Sequence, residues 1–295
     1  MNPIFLRFFA AFVFLPTLFS AAVAAPPCDD PNPLRFSMAP SVKMNQLLAE
    51  YQPLIDQLEQ SLGRKVVVVQ PASYNTVIAE MLSGNVDLAS MGPASYSIAK
   101  SRDPSITAFA TWTLKGGTFI KAGSNTYNSL LVTLKVRGIH TIADLKGKSV
   151  VLSDPASTSG AVIPRAEFGE SIGQPLETYF AKVGYSGSHD RSLEMLKKGY
   201  VDAAFVASQR VDDALNKGLL SANEITILWR SRPILHDPFV YRGNLCPALQ
   251  EKIRQTFLNG GGDIQKLLTA FHAERFVEVN DDDYKYIRQV LSQQR

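Results

Sequence analysis

Short apolar runs alternate with amphipathic stretches through the first part of the chain. Apolar runs bounded by polar residues predict strands at Leu34–Met38 and 65–69. Apolar positions at helical spacing predict helices over 46–62 and 76–83, the second ending before Gly84. Strands separated by helices are typical of an α/β fold in which a parallel sheet is covered on both faces.

The same alternation returns later in the chain. Strands are predicted at 129–135, Ser149–Leu152 and 203–206, with one helix starting at Ala161 and another over 188–198. About 270 residues remain after the N-terminal segment described below, which is enough for two cores rather than one. Since no long linker divides the two units, we expect two α/β lobes joined by a short connection, with a small ligand in the cleft between them.

The first 24 residues have the pattern of a secretory signal peptide. Arg7 precedes the apolar run of residues 8–25, and Ala-Val-Ala at 22–24 supplies the small residues of a cleavage site. We predict cleavage after Ala24. The mature protein is then expected to be soluble in an exported, oxidising compartment, the periplasm.

Composition changes this picture little: 45% of the residues are hydrophobic and 19% are charged. Without Arg7, 29 basic and 27 acidic residues remain, and a net charge of +2 gives no reason to expect a nucleic acid or membrane partner. Cys28 and Cys246 have no metal-ligand spacing, and neither a metal nor another cofactor is predicted. In an exported protein these cysteines are expected to form a disulfide rather than stay free. Pro26 and Pro27 precede Cys28 and argue against a lipid anchor.

The segment 150–161 contains the main candidate for ligand binding. An apolar strand there leads into Ser157, Thr158 and Ser159, near the start of the next predicted helix. The first amides of a helix lack intrahelical partners and carry a partial positive charge, so three adjacent hydroxyls could add donors around one oxyanion. The same residues also suit an ordinary helix N-cap, and the segment alone is compatible with both interpretations.

Spaced motifs over nearly the whole mature chain resemble one protein family. In chain order they are SY at 73–74, GNVDLA at 84–89, GPASY at 92–96, YNS at 127–129, DLKGKSVV at 144–151, STSG at 157–160, GSH at 187–189, VDAA at 201–204 and HDPFV at 236–240. This series is similar to the PhnD-like binding proteins of phosphonate, phosphite and phosphate ABC transporters. The resemblance implies a two-lobed type II periplasmic binding protein fold that closes on its ligand by hinge motion. It implies a first lobe of residues 34–126 plus 238–295 and a second lobe of 127–237.

The resemblance also implies a set of ligand-contacting residues. These are Ser157, Thr158, Ser159, His189 and Asp237, with Tyr74 and Tyr127 walling the cleft. A carboxylate at Asp237 would accept a hydrogen bond from a P–OH group, so it would select a protonated oxyanion. Taken alone, His189 also suits a solvated position at a helix start, and the two tyrosines suit ordinary packing. Tyr96 either faces the cleft or caps a helix.

The resemblance implies that Gln209 stands where aminoalkylphosphonate binders of this family carry a second acidic residue. A neutral amide does not offset a buried ammonium as a carboxylate does. Phosphite, phosphate or methylphosphonate is therefore expected in preference to aminoethylphosphonate, with Gln209 facing the substituent of the ligand.

These features imply the solute-binding component of an ABC transporter, a monomer that docks on an inner-membrane permease and is not an enzyme. One alternative keeps the fold but presents the oxyanion to a membrane sensor kinase. A more distant alternative is a hydrolase, because Ser157 or Ser159, His189 and Asp237 include the residue types of a catalytic triad. Neither Ser157 nor Ser159 stands in the Gly-x-Ser-x-Gly elbow of many such enzymes, which argues against this alternative.

Overall fold

Two β-sheets, each covered by helices on both faces, organise the chain in the computed structural model, which describes residues 27–259 and 261–293. The predicted signal peptide, residues 1–24, lies outside the described residues. The strands are β1 (Leu34–Met38), β2 (Val66–Val68), β3 (Leu88–Ser90), β4 (Thr107–Leu114), β5 (Thr126–Tyr127), β6 (Ser129–Leu134), β7 (Ser149–Leu152), β8 (Lys182–Tyr185), β9 (Ala203–Ala207), β10 (Ile225–Arg230), β11 (Ile234–Leu235), β12 (Phe239–Tyr241) and β13 (Ala273–Glu278).

The α-helices are α1 (Met44–Leu62), α2 (Tyr74–Leu82), α3 (Pro93–Arg102), α4 (Gly169–Ser171), α5 (Leu176–Tyr179), α6 (His189–Lys197), α7 (Ser208–Asn216), α8 (Pro247–Leu258), α9 (Gly262–Ala270) and α10 (Lys285–Gln293). Two π-helical segments, Thr158–Val162 and Pro164–Phe168, lead into α4. Short 3-10 turns lie at Lys135–Arg137, Ala143–Leu145 and Asp281–Tyr284.

The first sheet has six strands in the order β13-β4-β12-β3-β1-β2. Only β1 forms parallel pairs, with β2 and β3, whereas β12 runs antiparallel to β3 and β4, and β13 antiparallel to β4. The strands come from residues 34–114 and 239–278, so the chain leaves this sheet and later returns to it. The prediction of parallel pairing is confirmed for β1 and β2, the strands on which it rested, but β12 and β13 run against their neighbours, so the whole sheet is mixed.

The second sheet has five strands in the order β10-β6-β9-β7-β8, all taken from residues 129–230. Its parallel part is again limited to three strands, β8, β7 and β9. Where the chain passes between the sheets, β5 and β11 pair antiparallel, with Tyr127 opposite Ile234. This ribbon lies close to the expected lobe borders, 126/127 and 237/238, which we keep as a proposal.

Helix α1 shows why the periodic pattern was informative. Its buried residues are Leu47, Tyr51, Leu54, Ile55, Leu58 and Leu62. They recur every three or four positions, so they form one face that packs on the first sheet. The helix ends at Gly63, whose φ of 64° is easily adopted only by glycine and whose N–H donates to the carbonyl of Glu59 at 2.9 Å. The prediction of 46–62 is two residues short at the start.

Cys28 and Cys246 form a disulfide, as predicted. The bridge ties the segment before β1 to the N-cap of α8. Beside it, the N–H of Cys246 donates to the carbonyl of Asp29 at 2.8 Å. The linkage therefore anchors the beginning of the described chain to the part that returns to the first sheet.

Within residues 27–259 and 261–293, no helix combines the length and apolar character needed to cross a membrane. The same residues contain no group of three or more His, Cys, Asp or Glu side chains that could hold a metal ion.

Candidate ligand-binding site

Five helices begin at the wall of one small cavity between the two sheets. The residues that line it at these helix starts are Tyr74 of α2, Gly92 before α3, Ser157, Thr158 and Ser159 after β7, His189 of α6, and Ala207, Gln209 and Arg210 of α7. The first N–H groups of a helix have no partner within the helix itself and carry a partial positive charge, so the convergence of five helix starts favours an anion. The cavity has a volume of about 40 Å³, which is space for roughly three water molecules and therefore for a small ligand only.

In the segment after β7, the backbone turns back on itself so that residues 153 and 160 lie close together. The N–H of Ser153 donates to the carbonyl of Gly160 at 3.1 Å. A Cβ on Gly160 would lie 1.5 Å from the Ser153 hydroxyl, so only glycine fits at this position. The helix begins at Thr158, three residues before the predicted start at Ala161, and its first turn is π-helical. This tight turn places three consecutive hydroxyl residues at the cavity.

The N-cap and the ligand-binding interpretations of these hydroxyls turn out to be compatible. Ser157 is the N-cap, and its hydroxyl accepts from the N–H of Gly160 at 3.2 Å. The Thr158 hydroxyl accepts from the N–H of Ala94, in the first turn of α3, at 2.9 Å. A hydroxyl that accepts a hydrogen bond keeps its own O–H to donate, so both can still serve an oxyanion. Ser159 is buried beside them and lies within hydrogen-bonding reach of Tyr127.

Asp237 lies between β11 and β12, and its backbone carbonyl is fixed by the Thr111 hydroxyl at 2.9 Å. Burial raises the pKa of its carboxyl group to about 7, although the charge of Arg210 and a hydrogen bond from Tyr127 act in the opposite direction. Near neutral pH, Asp237 is therefore present in both protonation states. The carboxylate can accept from a P–OH group, and the protonated acid can donate to an ionised oxygen.

His189 is held at the start of α6 with one ring nitrogen already engaged. The N–H of Ala207 donates to Nδ1 at 3.4 Å, so the neutral ring carries its proton on Nε2 and can donate it. Burial, with a smaller contribution from Arg210, lowers the pKa of His189 to about 3 and keeps the ring neutral. A hydrolase triad would need a carboxylate that accepts a hydrogen bond from Nδ1–H of His189. A backbone amide donates to Nδ1 instead, so the triad is not assembled.

The remaining predicted residues divide between the cavity and the core. Tyr74 and Tyr127 line the cavity, and burial raises the pKa of both hydroxyls, so they stay protonated. Gln209 also lines it, and its buried Oε1 has no hydrogen-bond partner among the residues that the structure describes. The prediction that Tyr96 could face the cleft is wrong.

Tyr96 packs inside the first half of the molecule instead. Its ring contacts Tyr284 edge-on at 5.3 Å between centroids, and its hydroxyl donates to Asp281 at 3.1 Å. Both partners come from the C-terminal segment. The helix start at Gly92 lies at the cavity, but the side chain four residues later points into the core.

Several cavity residues were missed from the sequence. They are Ser41, Tyr51, Ser90, Trp112, Arg210, Asp213 and His236. His236 is next to the predicted Asp237, and burial lowers its pKa to about 3, so it is a neutral ring packed near Trp112 and Tyr127. Arg210 directly follows Gln209. Its position in the first turn of a helix was the one sequence feature that could have indicated a place at the cavity.

Hydrogen bonds cross the cavity and hold its two sides together. The N–H of Tyr74 donates to Asp154 at 3.3 Å, and the N–H of His189 donates to the carbonyl of Ser41 at 3.0 Å. In each pair one residue belongs to a connection of the first sheet and the other to a connection of the second. The structure therefore shows a closed arrangement of the two halves.

Comparisons with known proteins agree with this geometry. The family model of the periplasmic substrate-binding protein of phosphonate ABC transporters matches residues 36–284. The phosphate-import protein PhnD of Mycolicibacterium smegmatis is 30% identical over 286 residues, covering 88% of this chain and 85% of that protein. The phosphonates-binding periplasmic protein of Escherichia coli is 27% identical over 257 residues, covering 86% of this chain and 72% of that protein.

A solved structure confirms the expected type II fold. The binding-protein component of an ABC phosphonate transporter from Pseudomonas aeruginosa superposes with a TM-score of 0.79 at 23% identity, covering 88% of this chain and 85% of that one. The matched family consists of periplasmic transport receptors and not of enzymes. The chain belongs to the family of periplasmic substrate-binding proteins of phosphonate ABC transporters.

Proposed function

We propose that this protein binds a small phosphorus oxyanion, namely phosphite, phosphate or methylphosphonate, in the cavity at the five helix starts and delivers it to an ABC permease. The convergence of these helix starts on a volume of about 40 Å³ carries the proposal. A cavity of this size suits a tetrahedral headgroup with at most a small substituent. The two relatives named above, a phosphate importer and a phosphonate binder, handle ligands of the same class.

The proposed roles follow from the donors and acceptors around the cavity. Ser157, Thr158 and Ser159 donate through their hydroxyls to the ionised oxygens, together with the first N–H groups of their helix. His189 donates from Nε2, and Asp237 exchanges a hydrogen bond with a P–OH group. In this assignment Tyr74 and Tyr127 wall the headgroup, and Gln209 faces the substituent.

Calorimetry on the purified mature protein tests the proposal. Phosphite, phosphate, methylphosphonate, aminoethylphosphonate and sulfate would be titrated at pH 8. We expect at least one of the first three to bind with a micromolar or lower Kd, and both aminoethylphosphonate and sulfate to bind more weakly. The proposal is wrong if no phosphorus oxyanion binds below millimolar concentration.

A double substitution in the hydroxyl segment tests the proposed contacts. Ser157→Ala with Thr158→Ala removes two hydrogen bonds to a charged ligand, each worth roughly 1.5–3 kcal/mol, so affinity should fall more than tenfold. Asn280→Ala is the matched control, because Asn280 caps the turn at Asp281–Tyr284 through the N–H of Asp282, and its loss removes a cap that does not line the cavity. Near-normal affinity in the double variant would leave these hydroxyls with a capping role alone.

We also propose that the mature protein starts after Ala24 and acts as a monomer. Intact mass of the exported protein checks the first point, and light scattering checks the second. Stimulation of ATP hydrolysis by a reconstituted permease would support delivery to a transporter. Activation of a sensor kinase without such stimulation would favour the alternative partner.

A further inference from the structure

The cavity contains a positive charge that the assignment above does not use. Arg210, in the first turn of α7, lines the cavity, and 13% of its side chain is exposed. One terminal nitrogen donates to Asp213 at 3.1 Å, and the other donates to the Ser41 hydroxyl at 2.9 Å. A guanidinium has five N–H donors in a rigid plane, so these two bonds leave it able to donate to a ligand as well.

The charge of Arg210 acts on groups around the whole cavity. After burial, it is the next contribution that lowers the pKa of His189 and of His236. It also opposes the rise in the pKa of Asp237 that burial causes. His189 begins α6, whereas His236 and Asp237 are neighbours after β11, so a ligand between these two segments lies in the field of the same cation. In a buried site such a field is weakly screened.

We propose that Arg210 is a specificity-determining residue that makes the cavity reject oxyanions with an ammonium substituent and accept those with a neutral one. The inference rests on the proposed function and names the charge class of its ligand. Gln209, the neighbour of Arg210, offers only an uncharged amide to the substituent. The Asp213 carboxylate is already paired with Arg210, so a ligand ammonium would have to displace the guanidinium to reach it.

A purely structural role for Arg210 makes a different prediction. Its bond to Ser41 joins α7 to the connection between β1 and α1, and so helps to hold the closed arrangement. Loss of such a contact would weaken all ligands by the same factor. Loss of a charge that acts on the ligand would instead change the ratio between a charged and a neutral ligand of equal size.

The test compares ethylphosphonate with aminomethylphosphonate, which have the same shape and differ by a methyl against an ammonium group. At pH 7.5 we expect the unmodified protein to bind ethylphosphonate at least tenfold more tightly. Arg210→Met should reduce this ratio at least tenfold. Ser41→Ala removes the bond but keeps the cation, so it should weaken both ligands together and leave the ratio unchanged.

Arg165→Met is the matched control for loss of one charge, because Arg165 pairs with Glu177 and Tyr185 outside the cavity. It should leave both affinities as they were. Arg210→Gln serves as the second variant if the Met variant does not fold. The ratio of the two affinities in the unmodified protein is itself a test and requires no variant.

The outcomes separate this inference from the proposed function. If neither phosphite nor methylphosphonate binds the unmodified protein, the proposed function itself fails. If these bind but Arg210→Met leaves the ratio unchanged, or the unmodified protein does not discriminate, only the role of Arg210 is wrong. If methylphosphonate binds but neither larger ligand does, size and not Arg210 sets the selectivity, and the inference is again overturned.

Discussion

Asp87 and Asp237 are both removed from bulk water, yet the protein gives them opposite protonation behaviour. Asp87 is fully buried in the first sheet and accepts hydrogen bonds from Arg35 at 2.7 and 2.9 Å and from Arg242 at 3.1 Å. Burial alone would raise the pKa of Asp87, but these two arginines outweigh it and hold the pKa below its usual value. Asp87 is therefore an anion at neutral pH.

The charge of Arg210 and a hydrogen bond from Tyr127 lower the pKa of Asp237, but they do not outweigh burial. Its pKa of about 7 means that the folded protein leaves the carboxyl group short of partners. A carboxyl group that binds an incoming ligand needs oxygens that are free to form hydrogen bonds with it, whereas a structural carboxylate does not. The number of N–H donors supplied by the fold distinguishes the two roles.

The largest expected effect is a loss of folding stability when the structural carboxylate Asp87 is replaced. Asp87→Asn leaves Arg35 and Arg242 without their shared anion, and breaking a buried ion pair in this way costs about 3–5 kcal/mol. Urea unfolding at pH 7 should show this loss. Asp30→Asn is the control, because its pair with Arg64 is exposed and worth less than about 1 kcal/mol. Equal losses in the two variants would contradict the structural role of Asp87.

The pH dependence of this stabilisation has a definite sign. The folded-state pKa of Asp87 is lower than its unfolded value, so the stabilisation is fully present above the unfolded pKa, near 4. It is lost as pH falls through the lower folded-state value. The difference between the unmodified protein and Asp87→Asn should therefore shrink only under acidic conditions.

The second prediction concerns ligand selectivity at Asp237. At pH 8 most of this group is ionised, and it repels sulfate, which has no proton to donate. Asp237→Asn supplies an NH₂ donor without a charge, so sulfate should bind at least tenfold more tightly, while phosphate, whose dianion keeps a P–OH group, loses affinity. Calorimetry with both anions checks the change. Continued rejection of sulfate by the variant would place the selectivity elsewhere.

The contrast also shows how far the sequence could predict the site. The hydroxyl segment was found because a strand followed by Ser157, Thr158 and Ser159 is a local signal. Arg210 was missed because its relevance depends on where α7 begins, and that helix has only a short apolar pattern. Trp112 was missed because β4 was not predicted at all, and its position at the cavity depends on pairing with β12.

Tyr96 shows the opposite error. Its motif was recognised, but the direction of its side chain is decided by Tyr284 and Asp281, about 190 residues later in the chain. The protonation of Asp237 was likewise beyond the sequence, because it depends on how many donors the fold brings near one carboxyl group. Long-range packing therefore accounts for most of what the residue pattern missed.

The third prediction uses sulfate as a probe of Asp237, because sulfate does not change its charge between pH 5.5 and 8.5. His189 and His236 stay neutral over this range and Arg210 stays charged, whereas the pKa of Asp237, about 7, lies within it. Its protonated form can donate to sulfate, so affinity should be highest below pH 7 and fall up to tenfold per pH unit above it. Asp237→Asn should give a flat profile, and a flat profile in the unmodified protein would contradict the prediction.

The smallest expected effect is a shift in the pKa of Asp237 when its hydrogen bond from Tyr127 is removed. Tyr127 donates to the ionised form of Asp237 and so holds its pKa down. Tyr127→Phe removes a bond worth about 1 kcal/mol, so the midpoint of the sulfate profile should move up by roughly 0.5–1 pH unit. Tyr74→Phe is the matched control, because Tyr74 also lines the cavity but its hydroxyl lies near Ser157. If both variants keep the original midpoint, Tyr127 does not tune Asp237, and if both move it equally, the loss of a nearby polar group rather than one hydrogen bond sets the pKa.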